Sequence, residues 1–236
     1  MTTHMKNTKI NTKLQTLKPH YFDDSEKIEI GIDEVGRGPL FGRVYVAAVI
    51  LPKNSDTFQY HLLKDSKRFH STKKIKSVSD YIKSNALFWS IQYESEDMID
   101  QVNILQATQQ AMHQCVRDIL SRSKMNIEDI HLIVDGNYFN ELNIYNKNRQ
   151  RFECVSHACI EGGDNKYCSI AAASILAKVA RDEYINELCT NNPELIDKYN
   201  INSNKGYGAQ QHIKGIKEHG ITLWHRKTFG ICKEYK

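Results

Sequence analysis

The sequence predicts an α/β fold built on a mixed sheet. Two observations lead there. Strand patterns come early and close together, as in a meander, and strands then alternate with helices through the rest of the chain. With 236 residues, 40% of them apolar, the chain is long enough for one domain with a sizeable core.

The elements follow in order. KIEIGID (27–33) alternates, with Ile28, Ile30 and Ile32 on one face and Glu29, Gly31 and Asp33 on the other, as a strand requires. Gly36, Gly38 and Pro39 make a turn, and GRVYVAAVIL returns as a second strand. The short interval predicts an antiparallel pair. Ser71–Ser84 has a helical pattern, with Thr72 as candidate cap. ALFWSIQYE (86–94) is a third strand. Over 103–122, Ile104, Ala107, Ala111, Met112, Cys115, Val116 and Ile119 recur at helical spacing. HLIVDGN (131–137) is a fourth strand ending in a turn, and RFECVSH (151–157) a fifth. SIAAASILAKVARDEYINELC is a long helix closed by Asn191, Asn192 and Pro193; Gln210–His219 is a helix stopped by Gly220. No internal repeat is visible. The expected division is a basic, disordered tail over 1–26 and one domain over 27–236. Its segment from about residue 191 onward packs as helices on the same core.

Composition narrows the class. No apolar run is long enough for a membrane-spanning helix, and the N-terminus lacks a secretory apolar region, so a cytoplasmic protein is expected. The first 22 residues carry Lys6, Lys9, Lys13 and Lys18 without an acid; with no arginine or serine they do not make a good transit peptide. Six cysteines, at 115, 154, 159, 168, 189 and 232, include no C-x-x-C pair, which argues against zinc and disulfide readings. The net charge of +4 permits a nucleic-acid partner without demanding one. Lys64, Lys67, Arg68, Lys73, Lys74 and Lys76 crowd one segment with only Asp65 against them. Taken alone that cluster is a solvated basic face as readily as a phosphate track.

The chemistry rests on four acids. Asp33 and Glu34 end the first strand, inside GIDEVGRGPL (31–40). Asp135 ends the fourth, inside VDGN. Asp164 follows Gly162-Gly163 just before the long helix, where a negative charge is favoured by the helix dipole. Singly, Asp135 is an ordinary turn residue, Asp164 an ordinary helix cap and Glu34 a surface charge. As a set, acids at adjacent strand ends of an α/β sheet meet at the edge where ligands bind. Clustered carboxylates repel unless cations neutralise them, and an all-oxygen set selects magnesium or manganese. Two such ions roughly 3.5–4 Å apart are the usual device for phosphodiester hydrolysis. Gly36 and Gly38 let the backbone approach a ligand, and its amides could sense a ribose 2′-hydroxyl, the group that separates RNA from DNA. Arg37 could fork onto a phosphate, or simply be an exposed arginine in a hairpin.

GIDEVGRGPL, LKDSK (63–67), VDGN (134–137), GGD (162–164), AAASILAKVARD (171–182), NKGYG (204–208) and HRKTFG (225–230) occur in the order expected of ribonuclease HII. The chain resembles that family from about Ile28 to about Gly230. The resemblance implies a ribonuclease H-like fold, a mixed five-stranded sheet flanked by helices with a C-terminal helical extension. It implies Asp33, Glu34, Asp135 and Asp164 as catalytic metal ligands for Mg2+ or Mn2+, with Gly36, Arg37 and Gly38 recognising the ribonucleotide. It implies that Tyr207 stacks on the sugar that follows. Lys64, Lys67, Lys178 and Arg181 are candidate phosphate contacts, with exposed cations and rim salt bridges as the competing readings. Two sites depart from the family: Tyr167-Cys168 stands where Val-Pro is common, and Ala209 where threonine is frequent.

The expected activity is metal-dependent endoribonuclease action on RNA–DNA hybrids and on ribonucleotides embedded in DNA duplex. The cut falls 5′ to the ribonucleotide and leaves a 3′-hydroxyl and a 5′-phosphate. The expected partner is nucleic acid alone, engaged by a monomer. A two-metal nuclease indifferent to the 2′-hydroxyl and a catalytically idle hybrid binder are the alternatives. Cleavage of all-DNA duplex would mark the first, and metal-independent binding without cleavage the second.

Overall fold

The computed structural model describes residues 17–22, 27–53, 58–69, 71–146 and 149–235. In chain order the elements are β1 (Ile28–Val35), β2 (Val44–Ile50), α1 (Thr72–Asn85), β3 (Phe88–Glu94), α2 (Glu96–Val102), α3 (Ile104–Ser123) and β4 (Ile130–Asp135). Then come β5 (Asn143–Asn146), β6 (Arg151–Cys154), β7 (Ser156–Ile160), α4 (Cys168–Asn191), α5 (Glu194–Tyr199), α6 (Ile201–Asn204) and α7 (Gln210–His219).

Five strands form one mixed sheet in the order β3-β2-β1-β4-β7. The β1–β2–β3 meander is antiparallel, while β4 runs parallel to β1 and β7 parallel to β4. Three neighbouring strands therefore end on the same edge, the side on which ligands collect in such sheets. Alternation sorts the side chains. Ile30, Ile32, Val46, Ala48, Leu132 and Val134 face α3, through Ala111, Met112, Cys115, Val116 and Ile119. On the other face, Ala47 and Val49 pack with α1 and α4. The first half of α4, Cys168 to Ala177, is apolar nearly all round because it is buried all round, whereas from Asp182 on one face is polar and exposed. It lies so close to β1 that a Cβ on Gly31 would stand 2.3 Å from the Ser169 backbone. Among the described residues no helix is long and apolar enough to cross a membrane.

Four expectations need correction. RFECVSH is not one strand: β6 pairs with β5 in a separate two-stranded sheet, and β7 alone joins the main one. Val155 between them is fully buried and donates its amide to Leu142, which ends one strand and starts the next. The α1 helix is capped by Ser71, whose hydroxyl accepts the Lys74 amide, and not by Thr72. Asp164 does not cap α4; it lies in a separate 3-10 turn, and Tyr167 holds the cap position. Finally, the basic tail does not extend over residues 17–22. Lys18 donates its amide to Lys166 O and accepts from Cys168 N–H, and the Tyr21 and Phe22 amides bond to the Glu29 carboxylate. Residues 1–16 and 23–26 lie outside the described part.

The same strap explains one departure from the family pattern. Proline at 168 would lack the N–H that holds Lys18 here, so cysteine at that position permits the contact. Ala209, the other departure, is the cap residue of α7 and makes no side-chain cap bond.

Candidate active site

Asp33 and Glu34 are carried to the sheet edge by β1, Asp135 by the last position of β4, and Asp164 by the turn after β7. Asp33 is buried, and the nearby Ser174 hydroxyl, itself 3.0 Å from Ser66 Oγ, favours its ionised form. The Asp33 Oδ1 accepts the Glu34 amide at 2.7 Å. Glu34 meets Arg37 Nη1 at 3.3 Å. Asp135 Oδ1 accepts the Gly163 amide at 2.6 Å, which ties the end of β4 to the segment bearing Asp164. Asp164 accepts from Asn165 at 3.0 Å and faces Lys67 Nζ at 3.7 Å.

The four acids feel one another. The Asp33 carboxyl is held well above the usual carboxylate range, first by burial, then by Glu34 and Asp135, with Asp164 adding to them and Ser174 opposing. Burial raises Glu34 against the pull of Arg37, and burial followed by Asp135 raises Asp164. Among the described residues no three acidic, histidine or cysteine side chains converge into a closed metal cage. Each carboxylate is instead drawn to a protein donor, as mutually repelling anions are when a donor lies within reach. The donor set nonetheless fits hard divalent cations: it is all oxygen, and the carboxylate repulsion that adds to burial in raising Asp33 and Asp164 is what such a cation relieves.

The Gly36–Gly38 turn and Tyr207 lie together. A Cβ on Gly38 would be 3.6 Å from Tyr207 Cε1, and the tyrosine is about half exposed. Gly36 has φ +94°, and a Cβ there would stand 2.4 Å from Arg181 Nε. Its glycine is thus required by what lies beneath it. Gly206, at φ +84°, would place a Cβ 2.8 Å from Phe41 O; its absence lets NKGYG lie against the β1–β2 loop.

The cations divide. Lys67 is exposed beside Asp164. Lys64 Nζ lies 4.5 Å from the centre of the Phe69 ring, and Lys178 is paired with Asp182 at 2.6 Å. Lys76 pairs with Asp80 and Glu183. Arg181 does not serve as a phosphate contact. It is buried, and its guanidinium donates to the Phe41, Arg43 and Lys205 carbonyls at 3.0–3.2 Å. Sequence reasoning passed over Ser174 and the buried pair His225 and Arg226. The only available signal for the last two was their place in HRKTFG.

A sheet of this order, with acids gathered on its carboxyl edge, defines a hydrolase of the ribonuclease H type. The crystal structure of ribonuclease H2 from Pyrococcus horikoshii aligns with TM-score 0.65 and 20% identity, over 88% of this chain and 96% of that one. Bst-RNase HIII in complex with Mn2+ aligns with TM-score 0.63 and 16% identity, over 89% and 69%. The family model for ribonuclease HII matches residues 30–232. The ribonuclease HII of Bacteroides thetaiotaomicron is 41% identical over 208 residues, 88% of this chain and 92% of its own. The chain belongs to the ribonuclease HII family, whose members are metal-dependent ribonuclease H enzymes.

Proposed function

We propose that this enzyme hydrolyses RNA in RNA–DNA hybrids and at single ribonucleotides embedded in duplex DNA. It cuts on the 5′ side of the ribonucleotide and leaves a 3′-hydroxyl and a 5′-phosphate. The observation that carries the proposal is that Asp33 and Glu34 near the end of β1, Asp135 at the end of β4 and Asp164 in the turn after β7 share one sheet edge, with Asp135 tied to that turn by the Gly163 amide, beside the Gly36–Gly38 turn. These four residues would hold Mg2+ or Mn2+; the related Bst-RNase HIII structure is of an Mn2+ complex. When bound, a pair of such ions supplies an activated water and stabilises the leaving oxygen.

The chain's own residues supply the rest. Asp33 is the most deeply buried of the set, and the Glu34 amide holds its orientation. Arg37 is half exposed and bonded to Glu34, so it is placed to exchange that partner for a phosphate. The Arg37 and Gly38 amides read the 2′-hydroxyl. Tyr207 stacks on the next sugar, and Lys64, Lys67 and Lys178 contact flanking phosphates. The enzyme acts as a monomer in the cytoplasm, removing misincorporated ribonucleotides and primer RNA during replication and repair.

The Asp135→Asn variant tests the site. It keeps an oxygen for the Gly163 amide, so the fold and hybrid binding should persist while turnover falls by at least about 10³-fold. Retained turnover would remove Asp135, and with it the four-acid site, from the account.

A further inference from the structure

HRKTFG has no part in the reading above, yet its first two residues are both fully buried. They run beside the β1–β2 loop: Arg226 N–H donates to Leu40 O and Gly42 N–H to Trp224 O. Their side chains hold two different things.

The Arg226 guanidinium, stacked 5.0 Å from the Phe229 ring centre, hydrogen-bonds only backbone oxygen. Nε donates to Gly42 O at 2.8 Å, Nη1 to Arg37 O and Pro39 O at 2.9 Å, and Nη2 to Gly36 O at 2.6 Å. No acid pairs with it among the described residues. Burying a cation this way is costly, and the four oriented carbonyls are its compensation. The consequence lies in peptide geometry. In a trans peptide the carbonyl of one residue and the amide of the next point in opposite directions. Drawing Gly36 O and Arg37 O inward therefore turns the Arg37 and Gly38 amides outward. Among the described residues neither amide has a protein acceptor. The third inward carbonyl, Pro39 O, turns out the Leu40 amide, and that one is taken by Gly206 O at 2.8 Å.

His225 works through His212. The Thr222 amide, which can only donate, meets His225 Nδ1 at 2.9 Å, so the His225 proton is on Nε2. That proton points at His212 Nε2, 3.1 Å away. His212 then carries its own proton on Nδ1 and donates it to Tyr207 O at 2.8 Å. One neutral relay thus fixes the backbone of the residue whose ring lies against Gly38.

We infer that His225 and Arg226 are positioning residues for ribonucleotide selectivity. From adjacent backbone positions, one sets the outward amides of Arg37 and Gly38 and the other sets Tyr207, without either touching substrate. This rests on the proposed reading of Tyr207 and the Gly-Arg-Gly turn. Three segments far apart in sequence, 36–42, 204–208 and 224–226, are thereby locked in one geometry.

The test compares kcat/KM on a duplex carrying one ribonucleotide followed by DNA with kcat/KM on a continuous RNA–DNA hybrid. Tyr207→Ala should lower the ratio of the two by about tenfold, as loss of one stacking contact does. His212→Leu should lower it comparably, and the double variant should add nothing further. His212→Asn, whose amide can still donate to Tyr207 O, should restore the ratio. Arg226→Lys, which keeps the charge but not the fork, should lower kcat on both duplexes by about 100-fold with KM little changed. Melting temperatures identify variants that fail to fold. Equal loss on both substrates in His212→Leu, additive with Tyr207→Ala, overturns the inference alone. An unchanged ratio in Tyr207→Ala overturns the reading of Tyr207 and the inference with it.

Discussion

The Gly163 amide donates a 2.6 Å hydrogen bond to Asp135 Oδ1 and so joins the ends of two parallel strands through the carboxylate that both need. A Cβ on Gly163 would stand 2.6 Å from Ile170 Cδ1 and 3.3 Å from Asp135 Oδ1. The Ile170 methyl can move aside at a cost of about 1 kcal/mol. The Asp135 carboxylate has less room, because its place is its function. Gly163→Ala should therefore melt only a few degrees lower and lose about tenfold in kcat, with substrate KM nearly unchanged. Steady-state kinetics beside a thermal melt checks the split.

Asp33 carries a charge that the fold resists. Its raised pKa, caused first by burial and then by Glu34 and Asp135, means that the ionised form at neutral pH costs stability in the cation-free protein. Asp33→Asn should melt higher than the parent chain in the presence of a chelator. It should also lose the rise in melting temperature that Mg2+ or Mn2+ gives the parent. Activity should be lost with it, the usual exchange between stability and function at such sites.

The histidine relay has a pH signature. Burial, then the neighbouring His212, holds His225 at about 3, against an ordinary 6.5. The unfolded chain thus binds the proton and the folded one does not, between those two values. His225 costs nothing above pH 6.5, and its contribution falls by up to about 1.4 kcal/mol per pH unit as acid is added below it. The raised carboxylates Asp33, Glu34 and Asp164 act in the opposite sense, so the effect is read as a difference. Denaturant melts of the parent and His225→Gln from pH 4 to 8 should show the parent losing more stability on acidification.

Arg181 and Lys67 should separate cleanly. Arg181 is buried against three carbonyls, so Arg181→Leu leaves those oxygens without donors and should cost about 3 kcal/mol or more. Lys67→Ala should leave the melt unchanged. It should weaken binding to every duplex alike and lower the salt dependence of binding by about one counterion.

Ala209 leaves the start of α7 uncapped. Ala209→Thr should stabilise the protein by about 0.5–1 kcal/mol, read as a higher denaturant midpoint.

Much of this architecture is legible in the chain. Period-two alternation over residues 27–33 and helical spacing over 103–122 place β1 and α3 almost to the residue: α3 buries one face only, and β1, buried on both, keeps its isoleucines on one side and Glu29, Gly31 and Asp33 on the other. The α2 helix escaped notice because it is a single short run. Asn103, at φ 69°, ends it and at once caps α3 through Gln106 N–H, so only the second of the two, with its long periodic face, stands out in the sequence. The four acids are visible because strand ends converge on one edge in any sheet of this type. Arg181 and Arg226 are not visible in that way. A buried arginine satisfied mostly by carbonyls some 140 to 190 positions earlier has no local pattern and looks like an ordinary surface cation.

The most direct measurement maps the cut in a DNA duplex carrying one ribonucleotide, beside all-DNA duplex and continuous RNA–DNA hybrid, with Mg2+ or Mn2+ added. The account predicts a single cut 5′ to the ribonucleotide with 3′-hydroxyl and 5′-phosphate ends, cleavage of the hybrid and none of the DNA. Cutting of the all-DNA duplex, or binding of the ribonucleotide duplex without any cut in either metal, would contradict it.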